Sequence, residues 1–351
     1  MGAAYRGGGQ LLSQFNISSG PCPQNRAQPA VAYNAKEDNY LVVWMYHWSG
    51  TSTWDPNRID GRTVKWDGSS MGSERVIISW PERSFWTPRV AWNSFRNEYM
   101  VVWTAFDTTT GQPLNVAHAI LNAYGDSILT KIITMNRLPQ QIDVTYNVAA
   151  NEYFAVWRRM WTTGDGDIMG ARINPVSGDI VSPPWIIAVN TAVNDQKEPR
   201  ITTNQQHRYL VVWSQVYDPA HCCDWDIRVQ ELDVGGGLAS SYYSPAMTTD
   251  DEESPIATAR PGTTRDYMVA WQRAAAGGQR VEAVGWGDLG YTGLLDVASA
   301  TFWNNIHPAL AVGGPFLIAY ESDSLGDPTV KSHIFARLYW PRTTYLPAIV
   351  K

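Results

Sequence analysis

The chain repeats one pattern of apolar and polar positions six times. Each copy has a short strand-forming segment that usually opens at a proline, then a run of one aromatic residue, three apolar residues and a second aromatic residue. In the first copy, Pro29-Ala-Val-Ala-Tyr-Asn34 leads to Tyr40-Leu-Val-Val-Trp44. A strand with one wet face would alternate, so the continuous apolar run predicts a strand that is covered on both faces.

Two further strands follow each apolar run. In the first copy they are Ile59–Val64 and Arg75–Ser79, separated by a glycine-bearing turn. The aromatic residues that end the runs recur at positions 44, 103, 157, 213, 271 and 320. Four strands that repeat at this spacing form a propeller blade. We therefore predict an all-β fold, a six-bladed β-propeller of four-stranded blades.

The sixth repeat has only three strands, ending at Leu338. The N-terminal segment 11–18 resembles a fourth strand, so we predict that it joins the last blade and closes the ring, which removes exposed edges. The predicted parts are a flexible N-terminus (1–10), the propeller (11–338) and a C-terminal tail (339–351). The predicted blades span about 29–79, 88–134, 142–190, 199–248, 255–298, and 308–338 plus 11–18.

The blade pattern does not account for the tail. It could pack across the sixth blade, compete with residues 11–18 for the same edge, or add to a sheet of another molecule. We favour packing within the chain. Self-association into a homo-oligomer or filament would use the tail residues Tyr339, Trp340, Tyr345, Leu346 and Ile349.

Composition excludes several classes of partner. The net charge is −6, so the chain has no basic footprint for nucleic acid. Its apolar runs are shorter than the roughly 18 residues that a membrane-spanning helix needs. Three cysteines, two of them the neighbours Cys222 and Cys223, are too few for a disulfide framework.

The unit Pro-x-Val-Ala-Tyr-Asn, Tyr-Leu-Val-Val-Trp and Asp-Ile-x-Gly-x-Arg resembles a β-propeller repeat of secreted and cell-surface bacterial proteins. The resemblance covers residues 11–338, and the segment 345–351 is similar to a short C-terminal motif of exported bacterial proteins. The resemblance implies a location outside the cell or on its surface. It transfers no catalytic residue, because most of these proteins have no assigned activity.

One loop face of the predicted propeller is rich in aromatic and polar residues. Loops between the second and third strands share this face with loops between blades, and such side chains suit sugar rings or a protein partner. The alternative is that the aromatic residues only fill the loops. The predicted ligand-binding residues are Tyr46, His47, Trp48, Trp54, Arg83, Trp86, Arg158, Trp161, Trp225, Trp303 and Asn304.

Acidic residues on the same face give the candidates for catalysis. Glu321 and Asp323 follow the sixth apolar run, and His307 precedes Pro308. With another carboxylate they could form the carboxyl pair of a glycosidase. The segments 164–167 and 250–253 resemble parts of calcium sites, but a turn and a solvated loop explain them better. We predict no metal site and no cofactor, with calcium as the alternative.

No complete catalytic motif is present. We therefore expect an extracellular, non-catalytic binding or assembly module that takes a glycan or a surface protein. The alternative is an enzyme, a glycoside hydrolase or polysaccharide lyase that acts on extracellular polysaccharide.

Overall fold

A computed structural model describes most of the chain. The described residues are 2–5, 11–18, 25–47, 57–69, 72–134, 139–162, 165–187, 195–216, 224–240, 242–275, 278–287, 290–298, 303–312, 316–324 and 333–339. They form strands and turns and contain no helix that could span a membrane. The chain divides into two compact units, Met1–Ile201 and Thr202–Lys351, and each is described by itself.

The first unit contains a two-stranded sheet and three four-stranded antiparallel sheets. The small sheet pairs β1 (Gly2–Tyr5) with β2 (Leu11–Phe15). The first four-stranded sheet has β3 (Asn25–Asn34), β4 (Asn39–His47), β5 (Arg58–Lys65) and β6 (Arg75–Ser79). The second has β7 (Arg83–Asn93), β8 (Glu98–Asp107), β9 (Pro113–Leu121) and β10 (Ser127–Thr134), and the third has β11 (Pro139–Asn147), β12 (Glu152–Thr162), β13 (Asp165–Ile173) and β14 (Trp185–Ile186).

The fourth four-stranded sheet starts with β15 (Gln196–Thr203), in which the boundary between the units falls, and continues with β16 (Arg208–Val216), β17 (Trp225–Asp233) and β18 (Tyr243–Ala246). An eight-stranded sheet follows. Its strands are β19 (Glu252–Ala259), β20 (Asp266–Ala275), β21 (Gly278–Gly287), β22 (Gly290–Tyr291), β23 (Leu295–Ala298), β24 (Trp303–Val312), β25 (Phe316–Ser324) and β26 (His333–Tyr339). One parallel bridge, Gln279 to Asn304, joins the fifth and sixth repeats within it.

The predicted all-β class and the order of strands in each repeat are confirmed. Each first strand begins three to five residues earlier than predicted, for example at Gln196 where Pro199 was expected to open the strand. The N-terminal segment also differs from the prediction, because β2 pairs with β1. Pairing of residues 11–18 with the last sheet is not shown, so closure of the ring stays a prediction.

The second strands form the core, as their apolar runs predict. Seven consecutive residues of β8, Tyr99–Ala105, are buried, and so are Trp157 and Trp271 at the ends of their runs. In the first unit, apolar clusters fill the spaces between successive four-stranded sheets. In the second unit, similar clusters join successive repeats. The repeated tryptophans therefore stabilise the fold rather than face a ligand.

The first four predicted first strands end in an asparagine that caps the following turn. The Asn34 side-chain oxygen accepts hydrogen bonds from the backbone amides of Lys36 and Glu37, at 2.9 and 3.0 Å. Asn93 holds the same turn in the second sheet through Phe95 and Arg96. Asparagine favours such turns because its short side chain mimics a backbone carbonyl, which explains its recurrence in the repeat.

A buried histidine makes the stability of the first unit depend on pH. His118 on β9 is fully buried, and burial, followed by the nearby charge of Lys131, lowers its pKa to about 4. The folded state holds the neutral ring, whereas the unfolded chain takes up a proton below about pH 6.5. Stability should therefore fall by about 3 kcal/mol as the pH drops from 6.5 to 4.

We expect His118→Gln to lose this part of the acid sensitivity. Urea titrations at pH 6.5 and pH 4 measure it. His207→Gln, at an exposed histidine, serves as the control and should keep the full drop. An unchanged drop in the His118 variant would contradict the assignment.

Candidate functional site

A strained residue marks the start of every repeat. In each first strand one residue has a left-handed backbone with φ between 46° and 57°; these residues are Gln28, Thr87, Gln141, Glu198, Ser254 and His307. The strand pairing shifts register at this residue in β3, β7, β11, β19 and β24. Non-glycine residues in this region cost about 1 to 3 kcal/mol and cluster at functional sites.

Glutamine side chains bind these bulges to a neighbouring repeat. In the first unit, the Gln28 side-chain oxygen accepts the Thr87 amide at 2.9 Å, and that of Gln141 accepts the Glu198 amide at 2.8 Å. In the second unit, Gln272 on β20 accepts the His307 amide at 3.4 Å. These hydrogen bonds hold the bulged ends of the first strands in fixed positions. A binding or catalytic site requires such fixed positions.

A group of carboxylates surrounds one arginine in the second unit. The Arg273 guanidinium lies 2.9 Å from Asp250 Oδ2 and 3.1 Å from Glu282 Oε1. Its Nε lies 3.6 Å from Glu252 Oε1. Glu252 is 0% exposed, whereas the Asp250 side chain is 36% exposed. We call Asp250, Glu252, Arg273 and Glu282 the Arg273 cluster.

The buried Glu252 carboxyl group has a strongly raised pKa. Burial raises its pKa to about 7, against the opposing effects of the Thr248 hydroxyl and Arg273, and the charges of Asp226 and Glu282 raise it further. The Thr248 hydroxyl donates a hydrogen bond to Glu252 Oε1, while Oε2 has no hydrogen-bond partner in the part of the chain that the structure describes. Asp226, also buried, has its pKa raised to about 6 by burial. A carboxyl group held in this state is suited to give up a proton.

This cluster corrects one prediction from the sequence. We expected residues 250–253 to be a solvated loop, but β19 begins at Glu252 and buries its side chain. The misleading feature was Pro255, which suggested that the strand starts there. The bulge at Ser254 lets the strand extend past the proline in the N-terminal direction.

The structure brings together two of the predicted catalytic residues. His307 Nδ1 lies 3.3 Å from Glu321 Oε2, with side-chain exposures of 69% and 33%. Through its backbone amide His307 is also bound to Gln272, the neighbour of Arg273. The side chain of Asp323 lies outside the described residues. The strand β20 thus carries both the residue that contacts His307 and the arginine of the Arg273 cluster.

Several predicted ligand-binding residues of the first unit already have partners. Tyr46 is only 5% exposed and lies under the Arg58 guanidinium, 3.7 Å from the ring centre. Arg158 makes two hydrogen bonds to Asp195, at 2.6 and 2.7 Å. These contacts leave little of either side chain for a ligand.

Trp161 is partly exposed beside a charged pair. The Arg159 guanidinium covers its ring at 3.6 Å, and its indole nitrogen donates to Asp167. Burial raises the pKa of Asp167. Asp167, the last residue of the segment considered above as part of a calcium loop, thus supplies a hydrogen-bond acceptor to the tryptophan.

Arg83 lines an apolar cleft of about 430 Å³ in the first unit, together with the exposed Trp80. Trp86 is half-buried and packs edge-on against Phe106, with 6.1 Å between ring centres. In the second unit Trp225 is half-buried, and its backbone amide donates to Asp251.

Most of the remaining predicted site residues lie outside the part of the chain that the structure describes. Trp48, Trp54, Trp340, Tyr345, Leu346 and Ile349 lie outside the described residues, as do the side chains of His47, Trp303 and Asn304. Tyr339 ends β26 and is half-buried. Among the described residues, no group of three or more histidine, cysteine, aspartate or glutamate side chains could hold a metal ion.

No family model matches the chain, and no curated protein matches its sequence. Solved structures do match. A protein of unknown function from Dyadobacter fermentans has a TM-score of 0.61 at 10% identity, over 96% of both chains. The NanB sialidase of Streptococcus pneumoniae has a TM-score of 0.58 at 8% identity, over 93% of this chain and 69% of its own. The GH93 α-L-arabinofuranosidase of Fusarium graminearum in complex with arabinobiose has a TM-score of 0.57 at 10% identity, over 91% of this chain and 95% of its own.

The likeness to these structures shows that the chain has an all-β fold of the β-propeller type. It also overturns the prediction of a non-catalytic binding or assembly module, because neighbours with an activity in their names are glycosidases. The acidic run 250–253 was interpreted as a solvated loop, and no complete catalytic motif weighed against that prediction.

Proposed function

We propose that the protein is a glycoside hydrolase that cleaves a polysaccharide outside the cell. The Arg273 cluster is the observation that carries this proposal. The likeness to propeller glycosidases supports it, and so does the sequence resemblance to repeats of exported proteins.

The carboxyl pair is Asp250 and Glu252. Both contact the Nε atom of Arg273, at 3.1 and 3.6 Å, so their nearest oxygens are at most about 7 Å apart. Glycosidase carboxyl pairs are roughly 5 to 9.5 Å apart, with one protonated and one ionised. The raised pKa of Glu252, about 7, suits the acid. Asp250, partly exposed and ion-paired with Arg273, suits the carboxylate that faces the sugar.

Thr248 connects the buried acid to the surface. Its hydroxyl is bonded to Glu252, and the Asp250 amide donates to it at 3.1 Å. Thr248 is half-buried, unlike Glu252. In the proposed reaction the Thr248–Glu252 hydrogen bond reverses, so that protonated Glu252 donates to Thr248 Oγ while the Thr248 hydroxyl donates to the glycosidic oxygen. Transfer of both protons cleaves the bond to the leaving group and leaves Glu252 ionised. Water supplies the oxygen that ends on the anomeric carbon, and its remaining proton restores the acid.

Replacement of Thr248 tests the proton path. We expect Thr248→Val to lower kcat on a responsive polysaccharide by about 100-fold, since general acid catalysis contributes roughly 10² to 10⁴. Thr248→Ser keeps the hydroxyl and should stay within a few-fold of the wild type. A panel of neutral and acidic polysaccharides, assayed for reducing ends, identifies the substrate. Equal rates for the two variants would contradict the path, and no release by the wild type from any polysaccharide would contradict the proposed function.

We further propose six blades, with the fifth and sixth repeats forming separate blades. The order of strands in each repeat supports this. A crystal structure with five or seven sheets around one axis would contradict it.

A further inference from the structure

Two arginines occupy equivalent positions on first strands of the first unit. Arg89 on β7 and Arg200 on β15 each stand two residues after the left-handed residue of their strand. On β11, between them in the order of sheets, the equivalent residue is Asp143. The three first strands therefore place two positive charges and one negative charge at the same level.

Neither arginine has a carboxylate partner in the part of the chain that the structure describes. Arg89 donates to the carbonyl oxygen of Pro88 at 2.9 Å, and Arg200 donates to that of Pro199 at 3.2 Å. Within the described ranges, neither guanidinium lies within 4.0 Å of a carboxylate oxygen. Asp143 instead accepts the backbone amide of Ile201 at 3.0 Å. Among the described residues each guanidinium thus makes one hydrogen bond, although it has five donors.

The two positive charges act on each other. Burial lowers the pKa of Arg89 to about 10, and the charge of Arg200 lowers it further, while Asp143 opposes the change. A partly desolvated charge is costly unless a counter-charge accompanies it. The three residues together carry one excess positive charge, which a monoanion would neutralise.

We propose that Arg89 and Arg200 bind the carboxylate of an acidic sugar. A guanidinium group binds a carboxylate through two parallel hydrogen bonds, which gives direction as well as affinity. One excess charge matches a carboxylate better than a doubly charged phosphate or sulfate. That the carboxylate belongs to a sugar rests on the proposed function, whereas the anion site itself does not.

Calorimetric titration of the full chain tests the site, with D-glucuronate as the probe and D-glucose and sodium sulfate as comparisons. We expect saturable binding of glucuronate and none of glucose. Arg89→Gln and Arg200→Gln should each weaken it at least about tenfold. Arg96→Gln is the matched control, because Arg96 belongs to the same unit but is already paired with Glu98 at 2.7 Å. This variant should bind glucuronate as tightly as the wild type.

Each alternative outcome has a defined meaning. The site would be overturned if the wild type showed no saturable binding of glucuronate. It would also be overturned if the Arg89 and Arg200 variants bound glucuronate as tightly as the wild type. Sulfate binding as tight as that of glucuronate would overturn its assignment to a sugar acid. The titration needs no turnover, so a protein that binds glucuronate without cleaving any polysaccharide would contradict the hydrolase and leave the anion site standing.

The thermal stability of the ligand-free protein separates binding from structure. If the two arginines serve to bind a ligand, Arg89→Gln removes the repulsion between their charges and should raise Tm by about 2 °C at low salt. If they are kept for stability, the same variant lowers Tm. A lower Tm in both variants, with unchanged glucuronate affinity, would contradict the proposal.

Discussion

Replacement of Glu252 by glutamine should lower the release of reducing sugar about 10³-fold while the protein stays folded. The amide keeps the shape and can still accept the Thr248 hydrogen bond, but it has no acidic proton to supply. In the wild type, activity should decline as the pH rises through about 7, because the pKa of Glu252 is raised to about that value by burial.

The same variant should be more stable than the wild type at pH 8. In the folded state the pKa of Glu252 is about 7, above its ordinary value of 4.5. The stability that the bound proton provides is fully present below pH 4.5 and is lost as the pH rises through 7. At pH 8 the wild type therefore buries a charge at a cost of about 3 kcal/mol, and glutamine removes that charge.

Activity assays and urea titrations at pH 5 and pH 8 measure both effects. Asp296→Asn, at an exposed carboxylate of the same unit, is the control and should change neither. An active Glu252→Gln protein, or one that is less stable than the wild type at pH 8, would show that this residue is not the acid.

Replacement of Arg273 by methionine should destabilise the protein by about 3 to 5 kcal/mol. The Glu252 side chain is fully buried and that of Glu282 is 5% exposed, and Arg273 is the cation that contacts both. Methionine fills the space of the aliphatic stem but leaves these carboxyl groups without the positive charge.

Tryptophan fluorescence during urea unfolding at pH 8 gives the loss. At pH 5 Glu252 is protonated, so the loss should shrink. Arg337→Met, at an exposed arginine of the same unit, should have little effect at either pH. A loss that is the same at both pH values would contradict the electrostatic explanation.

Much of the fold could be predicted from the pattern of the sequence. Each continuous apolar run requires cover on both faces, and Tyr99–Ala105 on β8 are buried accordingly. The strand starts were harder to predict. Non-glycine residues such as Gln28 and Ser254 have left-handed backbones, which no sequence rule for β-strands anticipates, and each bulge lengthens its strand beyond the expected proline.

The candidate site could be predicted only in part. His307 and Glu321 were selected for their positions in the repeat, and they are in contact. Glu252 was missed because four adjacent acidic residues, 250–253, indicated a solvated face. Its burial depends on Arg273, 21 residues away on another strand. No local pattern contains such a pairing.

Hydrolysis in H₂¹⁸O tests the central claim most directly. The wild-type protein, incubated with the polysaccharide that responds in the panel, should release sugars with one ¹⁸O at the new reducing end, as seen by mass spectrometry. Glu252→Gln should release almost none. Unsaturated products without ¹⁸O, or equal release by the variant, would contradict a glycoside hydrolase that acts through the Arg273 cluster.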